Sequence, residues 1–340
     1  MTTQNPTVLT VVLNYKTADM TLDATAAALV AMENIAGGLV IVDNDSQDGS
    51  FETLSAAVSE RGWGDRVTVV QSGHNGGFGA GNNFGIQAAL RDNGPPDYVY
   101  ILNSDAFPAP DAIRVLLDHM EATPGTGFCG SYIHGPDDEW HCTVFRFPSI
   151  WSELEGAART GPITRLLRRH VIPQPLPDGP KVVDWLAGAS MMMRYEVLAQ
   201  IGLFDETFFL YFEETDLCRR AKLAGWPTVY LPDSRVMHIG SASTGMKTWK
   251  RKPGYWFDSR LHYFVKNHGR LYAGAATVAH VMGGLIWRFR ALVQRKPQAD
   301  PDRFLRDLIA HDLRAAGQAL IHPSRGDKVN KTPEVRTKII

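Results

Sequence analysis

Short uninterrupted apolar runs alternate along this chain with longer stretches in which apolar positions recur at helical spacing. Val8–Leu13, Leu39–Val42, Val67–Val70 and Tyr98–Leu102 are the runs. A strand that is apolar at every position is covered on both faces, the condition of a parallel sheet held between helix layers. Between the runs the pattern predicts helices from about Thr17 to Asn34, from Ser50 with Phe51, Leu54 and Val58 on one face, and from the end of a glycine-rich loop to about Arg91. Another is predicted over Ala112–Glu121. Such alternation implies βαβ units with right-handed crossovers.

From Pro124 the pattern loosens. Gly127–Tyr132 and Trp140–Phe147 read as strands that finish the sheet in a mixed sense, and the Arg- and Pro-rich residues 155–181 as a mobile segment or lid. Order returns at Val182–Met193. After Phe208–Asp216 comes a helix with Leu217, Ala221 and Ala224 on one face, then two short strands at Trp226–Tyr230 and Ser234–His238. The remainder is helical, with Phe304, Leu305, Leu308 and Leu313 marking a late amphipathic helix. Tyr272–Trp287 is the most apolar part, but it is short for a membrane span and contains His280; it reads as a core helix or an interfacial one. The expected division is a domain over 1–245, with halves 1–125 and 126–245, and a basic helical extension over 246–340 that contacts a membrane surface or another copy.

Composition changes this picture in one place. The 340 residues carry a net charge of −1, so total charge points to no partner and nothing points to nucleic acid. Residues 246–296, however, hold 11 Lys and Arg against the single acid Asp258. That block suggests an anionic surface partner, a membrane face or a diphosphate. Cys129, Cys142 and Cys218 form neither a disulfide framework nor a zinc pattern, which fits a reducing, cytosolic setting. The polar start Met1–Pro6 lacks the basic n-region of a signal peptide.

The candidate chemistry sits at strand ends. Asn14-Tyr15, Asp43-Asn44 with Ser46, the loop Asn75–Asn82 and Asn103-Ser104-Asp105 each follow a predicted strand. In an open α/β sheet, ligands bind beyond the carboxyl ends of the strands. Asp43 there can hold a ribose or a base N–H, the loop glycines (Gly77 among them, beside Phe78) let backbone approach a ligand, and Asn82 or Asn83 can cap the next helix. Asp105 is a metal or phosphate carboxylate, or else a turn residue. The loop is not a dinucleotide fingerprint, because that register from Gly77 would need glycine at Asn82, and no Walker lysine is present. Glu213, Glu214 and Asp216 open a helix, where they either complement its dipole or supply a general base that stays ionised. His238 is a candidate metal ligand beside Asp105.

Taken in order, Asn14-Tyr15, Val42-Asp43-Asn44-x-Ser46-x-Asp48-Gly49, Asn75-x-Gly77-Phe78-x-x-Gly81-Asn82-Asn83, Asn103-x-Asp105, Gly188-Ala189, Phe204-Asp205-Glu206, Phe212-Glu213-Glu214-x-Asp216 and His238 form a series. It resembles the family 2 glycosyltransferases of GT-A fold, especially their rhamnosyltransferase-like branch, over roughly residues 8–245. The resemblance implies a Rossmann-like, mainly parallel mixed sheet flanked by helices. It also implies a nucleotide-sugar donor (dTDP- or UDP-linked), Mg²⁺ or Mn²⁺ at its diphosphate, and inverting transfer to a glycan or polyprenyl-diphosphate-linked acceptor at the inner face of the cell membrane. By position it makes Asp105 and His238 the metal ligands and Glu214 the base, with Glu213 or Asp216 as alternatives. Asn14, Tyr15, Asp43, Asn44, Ser46, Asn75, Gly77, Phe78, Asn82, Asn103, Ser104 and Gly188 then line the donor site. Two rival readings are a nucleotidyltransferase making the sugar nucleotide, and a non-catalytic sugar-nucleotide binding protein.

Overall fold

The computed structural model describes residues 5–240, 249–297 and 300–321. The chain start, Ser241, Lys247 and the end of the 246–340 extension lie outside the described residues.

The four apolar runs become strands β1 (Val8–Asn14), β2 (Leu39–Asp43), β3 (Val67–Gln71) and β4 (Tyr98–Asn103). Between them lie helices α1 (Ala18–Ala31), α2 (Ser50–Glu60) and α3 (Phe78–Asn93). The second half contributes β5 (Ala106–Pro108), α4 (Ala112–Ala122), β6 (Phe128–His134), β7 (Val144–Phe145), α5 (Ile150–Ala158) and α6 (Gly161–Leu166). It continues with β8 (Lys181–Val183), β9 (Trp185–Leu186), β10 (Ser190–Arg194), α7 (Tyr195–Ile201), α8 (Glu213–Leu223) and β11 (Thr228–His238). Helices α9 (Gly254–His268), α10 (Arg270–Gln294) and α11 (Phe304–Ile321) follow.

The main sheet runs β3-β2-β1-β4-β10-β6-β11-β5, with β8 also paired to β11. The first four strands are parallel, and β10 enters antiparallel between β4 and β6. Alternate side chains of each strand serve two cores, which is why the runs are apolar throughout. Val8, Val12, Tyr98, Tyr100 and Leu102 pack with Leu22, Leu54 and Leu116 of α1, α2 and α4 and with Met32 just past α1. Leu9, Val11, Val99 and Ile101 pack on the other side with Ile86, Val197, Leu217 and Ala221 of α3, α7 and α8. The mixed, helix-flanked sheet predicted from the pattern is the one observed.

Several local expectations change. Trp226–Tyr230 and Ser234–His238 are one strand, β11, with a bulge: Leu231 pairs with Ser131 and Arg235 with Tyr132, so Pro232, Asp233 and Ser234 have no partner on β6. Proline and the extra residues hide the continuity from a periodicity reading. The run Trp140–Phe147 yields only the two-residue β7, paired with β9 off the main sheet. Residues 155–181 contain the end of α5, α6 and a 3₁₀ turn at Arg168–His170. The C-terminal helix buries Phe304, Leu305 and Leu308, whereas Leu313 is exposed.

The glycine-rich loop is also built differently. Helix α3 begins at Phe78, inside it, and Gly77 is the residue before the first turn. Asn82 and Asn83 therefore cap nothing; Asn82 donates back to the Phe78 carbonyl at 2.9 Å. A Cβ on Gly81 would lie 2.4 Å from Leu13 Cδ1, and one on Gly85 2.6 Å from Val42 Cγ2, so these glycines let α3 press onto β1 and β2. Gly77 has φ +89°, and a Cβ there would sit 1.7 Å from the Phe209 carbonyl oxygen, where Phe78 N–H also donates at 2.9 Å. The glycines thus serve protein–protein approach. We expect Gly77→Ala to displace this junction and lower the melting temperature by several degrees, read in thermal melts of the two proteins.

Candidate active site

Strand order reverses between β1 and β4, and the carboxyl ends of β2, β1 and β4 meet beside that reversal. Register sets Asn14 beside Asp43 and Leu13 beside Asn103. The polar tips predicted from sequence therefore share one edge. Asn14 Nδ2 donates to Asp43 Oδ1 at 2.8 Å and to Ser46 Oγ at 3.2 Å, while Ser46 Oγ–H donates to Asp43 Oδ1 at 2.5 Å. Asn44 Nδ2 donates to Asn75 Oδ1 at 3.0 Å and to the Gly77 carbonyl at 3.2 Å. Asn14, Asp43, Asn44 and Ser46 are all buried. They form a hydrogen-bonded frame that fixes the loops, and much of their bonding capacity goes to one another. Tyr15 is half-buried beneath the Lys16 ammonium, and Ser104 joins the frame through Thr17 Oγ1 at 3.2 Å.

A cavity of about 670 Å³ opens beside this edge. Its walls include Phe78, Asn103, Asp105, Gly188, Glu213, Glu214 and His238 from the expected set. Strands β5 and β11 pair antiparallel with His238 opposite Ala106, which puts the imidazole beside Asp105 across 133 residues of sequence. His238 Nε2 lies 2.9 Å from Asp105 Oδ1 and 3.3 Å from Asn103 Nδ2. One ring nitrogen can donate to the carboxylate or accept from the amide, not both. Asn103 Oδ1 is buried without a partner among the described residues. Carboxylate, imidazole and amide on one wall suit a hard divalent cation that completes its shell with phosphate oxygens and water. Among the described residues no group of three or more His, Cys, Asp or Glu is placed to hold a metal ion. The residues present fit such an ion.

The opposite wall is the start of α8. Tyr211 and Phe212 both adopt left-handed backbone, at φ +72° and +71°, a strained state for bulky side chains that is retained chiefly at functional positions. The turn delivers Glu213 and Glu214 together into the cavity, where Oε2 of each is buried with no hydrogen-bond partner among the described residues. A general base at this helix start was expected to stay ionised. The dipole contributes about 0.3–1 kcal/mol, and losing hydration costs a carboxylate several. Burial wins. It lifts Glu214 to about 7, and burial plus repulsion from Glu214 lifts Glu213 well above the carboxylate range.

Asp216 is a different matter. It is fully buried away from the cavity, held by Arg220 and Lys266 at 2.8 Å each and by Asn267 at 3.2 Å. Lys266 also reaches Asp205 at 2.8 Å, so this acid anchors α8 to α9 rather than facing a substrate. Asn82 likewise lies off the cavity, bonded within α3. The cavity also has walls that the sequence reading passed over. The stacked pair Phe145 and Trp185, 4.2 Å apart, together with Trp140, His141 and Tyr211, comes largely from loops and two-residue strands that leave no periodic signal.

Residues 6–270 match the family described as glycosyltransferase like family 2. The chain is 31% identical over 221 residues to the N-acetylglucosaminyl-diphospho-decaprenol L-rhamnosyltransferase of Mycobacterium tuberculosis, covering 61% of this chain and 68% of that one. It is 27% identical to the rhamnosyltransferase WbbL of Escherichia coli over 48% of this chain and 60% of that one. In fold it is similar to the mannosyltransferase PcManGT of Pyrobaculum calidifontis, solved with GDP-Man and Mn²⁺, with a TM-score of 0.53 and 17% identity over 94% of this chain and 82% of that one. The parallel sheet, the cavity at its switch point and the family match agree: the chain belongs to the family 2 glycosyltransferases and is a glycosyltransferase of GT-A fold.

Proposed function

We propose that this chain moves a deoxyhexose, L-rhamnose from dTDP-rhamnose, onto a hydroxyl of a lipid-linked or polysaccharide acceptor in cell-envelope glycan synthesis. One observation carries the reading: a cation-ready wall, Asp105 and His238, shares a cavity with the carboxylates Glu213 and Glu214, each with its Oε2 buried. The names of the two rhamnosyltransferase relatives support the sugar, and that of the mycobacterial one supports a polyprenyl-diphosphate acceptor. With the frame of Asn14 and Asp43 behind it, the edge of the sheet receives the nucleotide.

Asp105 and His238, with Asn103 beside them, would hold a divalent cation, Mg²⁺ or Mn²⁺, which would supply positive charge to offset that of the departing nucleoside diphosphate. Glu214 takes the proton of the acceptor hydroxyl as that oxygen bonds to the anomeric carbon. The bond to the diphosphate oxygen breaks on the opposite face, and the configuration inverts. A carboxylate poised near 7 is a better proton acceptor than one at its ordinary 4.5 and is still ionised in useful proportion. Burial and the neighbouring Glu214 both raise the Glu213 carboxyl, and the base role is given to Glu214. The nucleotidyltransferase reading lacks a Gly-rich loop with Arg and Lys after β1, where Asn14-Tyr15-Lys16 stands instead.

No helix among the described residues is long and apolar enough to cross a membrane. We place the enzyme in the cytoplasm, at the inner membrane face where a polyprenyl acceptor is presented. A thermal-shift panel of dTDP-, UDP- and GDP-sugars, with and without Mn²⁺, tests the reading. The dTDP-sugar is expected to raise the melting temperature most, by a few degrees with Mn²⁺, and Asp105→Ala to remove the Mn²⁺-dependent part. Equal shifts from all three nucleotides would sink the rhamnosyl assignment.

A further inference from the structure

Helix α10 is apolar on two opposite faces. Its inner face is mostly small: Ala273, Ala276, Ala279, Gly283 and Gly284 are buried, with Trp287 at its far end. A Cβ on Gly283 would come within 2.6 Å of the Leu154 carbonyl, so α5 and α10 are in backbone contact there. Packing therefore accounts for that face completely. The outer face is large and bare. Leu271, Val278, Met282, Leu285, Phe289 and Leu292 follow at spacings of 7, 4, 3, 4 and 3 residues, which puts them on one stripe. They are 93%, 59%, 54%, 56%, 72% and 79% exposed. The stripe is about 30 Å long at the helical rise. A contiguous apolar surface of this length is not a normal solvated face.

Charge says what covers it. Helix α10 has no Asp or Glu, and Arg270 and Arg288 flank the stripe, with Arg295 and Lys296 just past its end, all exposed. The other cations of the basic 246–296 block are largely spent inside the protein. Arg260 is buried against Glu153, Lys266 holds Asp205 and Asp216, and Arg251 holds Asp307. Among the described residues, the block's cations without an acidic partner are Lys250, Lys252 and those on or just past α10. Two copies pairing antiparallel along this stripe would bring Arg270 of each toward Arg295 and Lys296 of the other, cation against cation. An anionic bilayer offers the opposite: phosphates for the arginines and acyl chains for the stripe.

We infer that the outer face of α10 docks in the interface of an anionic bilayer, the stripe of Leu271 to Leu292 entering the acyl boundary and Arg270, Arg288, Arg295 and Lys296 meeting lipid phosphates. This deepens the lipid-linked-acceptor reading by naming the surface that meets the membrane. It is tested without turnover, so its failure and the failure of that reading are distinguishable.

The experiment is flotation of the full chain with phosphatidylcholine vesicles and with phosphatidylcholine–phosphatidylglycerol vesicles, without donor or metal. The protein is expected to float with the anionic vesicles and much less with the neutral ones. The double variant Leu285→Asp/Phe289→Asp should lose about tenfold or more of the partitioning, and Arg270→Glu/Arg288→Glu a similar amount with a shallower dependence on salt, since fewer cations are left to be screened. Both pairs are exposed, so circular dichroism and melting should match the parent. No flotation on anionic vesicles, or flotation unchanged in the Leu285/Phe289 variant, overturns the proposal. Sedimentation showing a dimer that the same variant dissociates, with no vesicle binding, assigns the stripe to a second copy instead.

Discussion

Glu214→Gln is expected to lower kcat by about 10²–10⁴-fold, the range for losing a general base, while leaving donor affinity within a few-fold. In the parent, kcat/KM should rise with pH through about 7, because the carboxyl must ionise to act and burial holds it there. Glu213→Gln should keep a far larger share of activity and leave that rise near the same pH, since burial, not its neighbour, holds Glu214 up. Retention of full activity by Glu214→Gln would move the base elsewhere. The same substitution carries a stability signature of the opposite sign. A carboxyl whose folded value lies above its unfolded 4.5 costs stability progressively as pH climbs from 4.5 to about 7, and the cost persists above that. Glu214→Gln should therefore be more stable than the parent at pH 8, by roughly 1–2 kcal/mol once water in the cavity is allowed for, and indistinguishable near pH 4. Urea titrations at the two pH values read this directly.

The second large effect lies away from the cavity. Arg260 is 1% exposed at the junction of α5, α9, α10 and α11. Its guanidinium lies 2.7 Å from Glu153 Oε2 and 3.5 Å from Asp312 Oδ2. His280 reaches Glu153 at 2.7 Å, and Thr277 donates to Asp312 at 2.5 Å. Arg260→Met leaves two buried carboxylates short of their cation, and removing one partner of such a pair costs about 3–5 kcal/mol. Denaturant melts should show that loss without requiring any loss of donor affinity in the material that stays folded. Burial alone would raise the Glu153 carboxyl, but Arg260 and His280 outweigh it and hold it at about 2. Its folded value lies below 4.5, so the stabilisation is complete above 4.5 and disappears as pH falls toward 2. The C-terminal helices should be the first part to loosen in acid, and Arg260→Met should lose most of that acid sensitivity.

Much of this was legible in the sequence, for a specific reason. Strands covered on both faces are written as unbroken apolar runs, so Val8–Leu13, Leu39–Val42 and Tyr98–Leu102 announce a parallel sheet. The polar residue that ends each run announces the ligand edge. What stayed hidden depended on partners distant in sequence. Nothing near Gly77 reveals that Phe209 will press on it. The loop glycines therefore resembled a ligand cradle when they are joints between α3, the sheet and the α8 turn. Nothing near Asp216 reveals Lys266 and Asn267, which make an apparent third candidate base into an anchor. The upward shift of Glu213 and Glu214 required knowing that a helix start can be buried deeply enough for desolvation to beat its dipole. Likewise Arg260 and Lys266 counted as surface charge in the basic block until the fold placed both among acids.

The bulge in β11 carries one more consequence. Three residues without partners on β6 separate two stretches of strand whose facing is set independently, the first by β6 and β8, the second by β6 and β5. Ser234 pins the junction, donating to the Ala112 carbonyl at 2.9 Å. His238 belongs to the later stretch, and its orientation toward Asp105 depends on the parity of residues counted from that pin. The chain therefore has a mechanical phase at this point. Adding or deleting one residue between Ser234 and His238 would turn the imidazole to the opposite side of the sheet while the earlier half of the strand, and the core it closes, stayed in step.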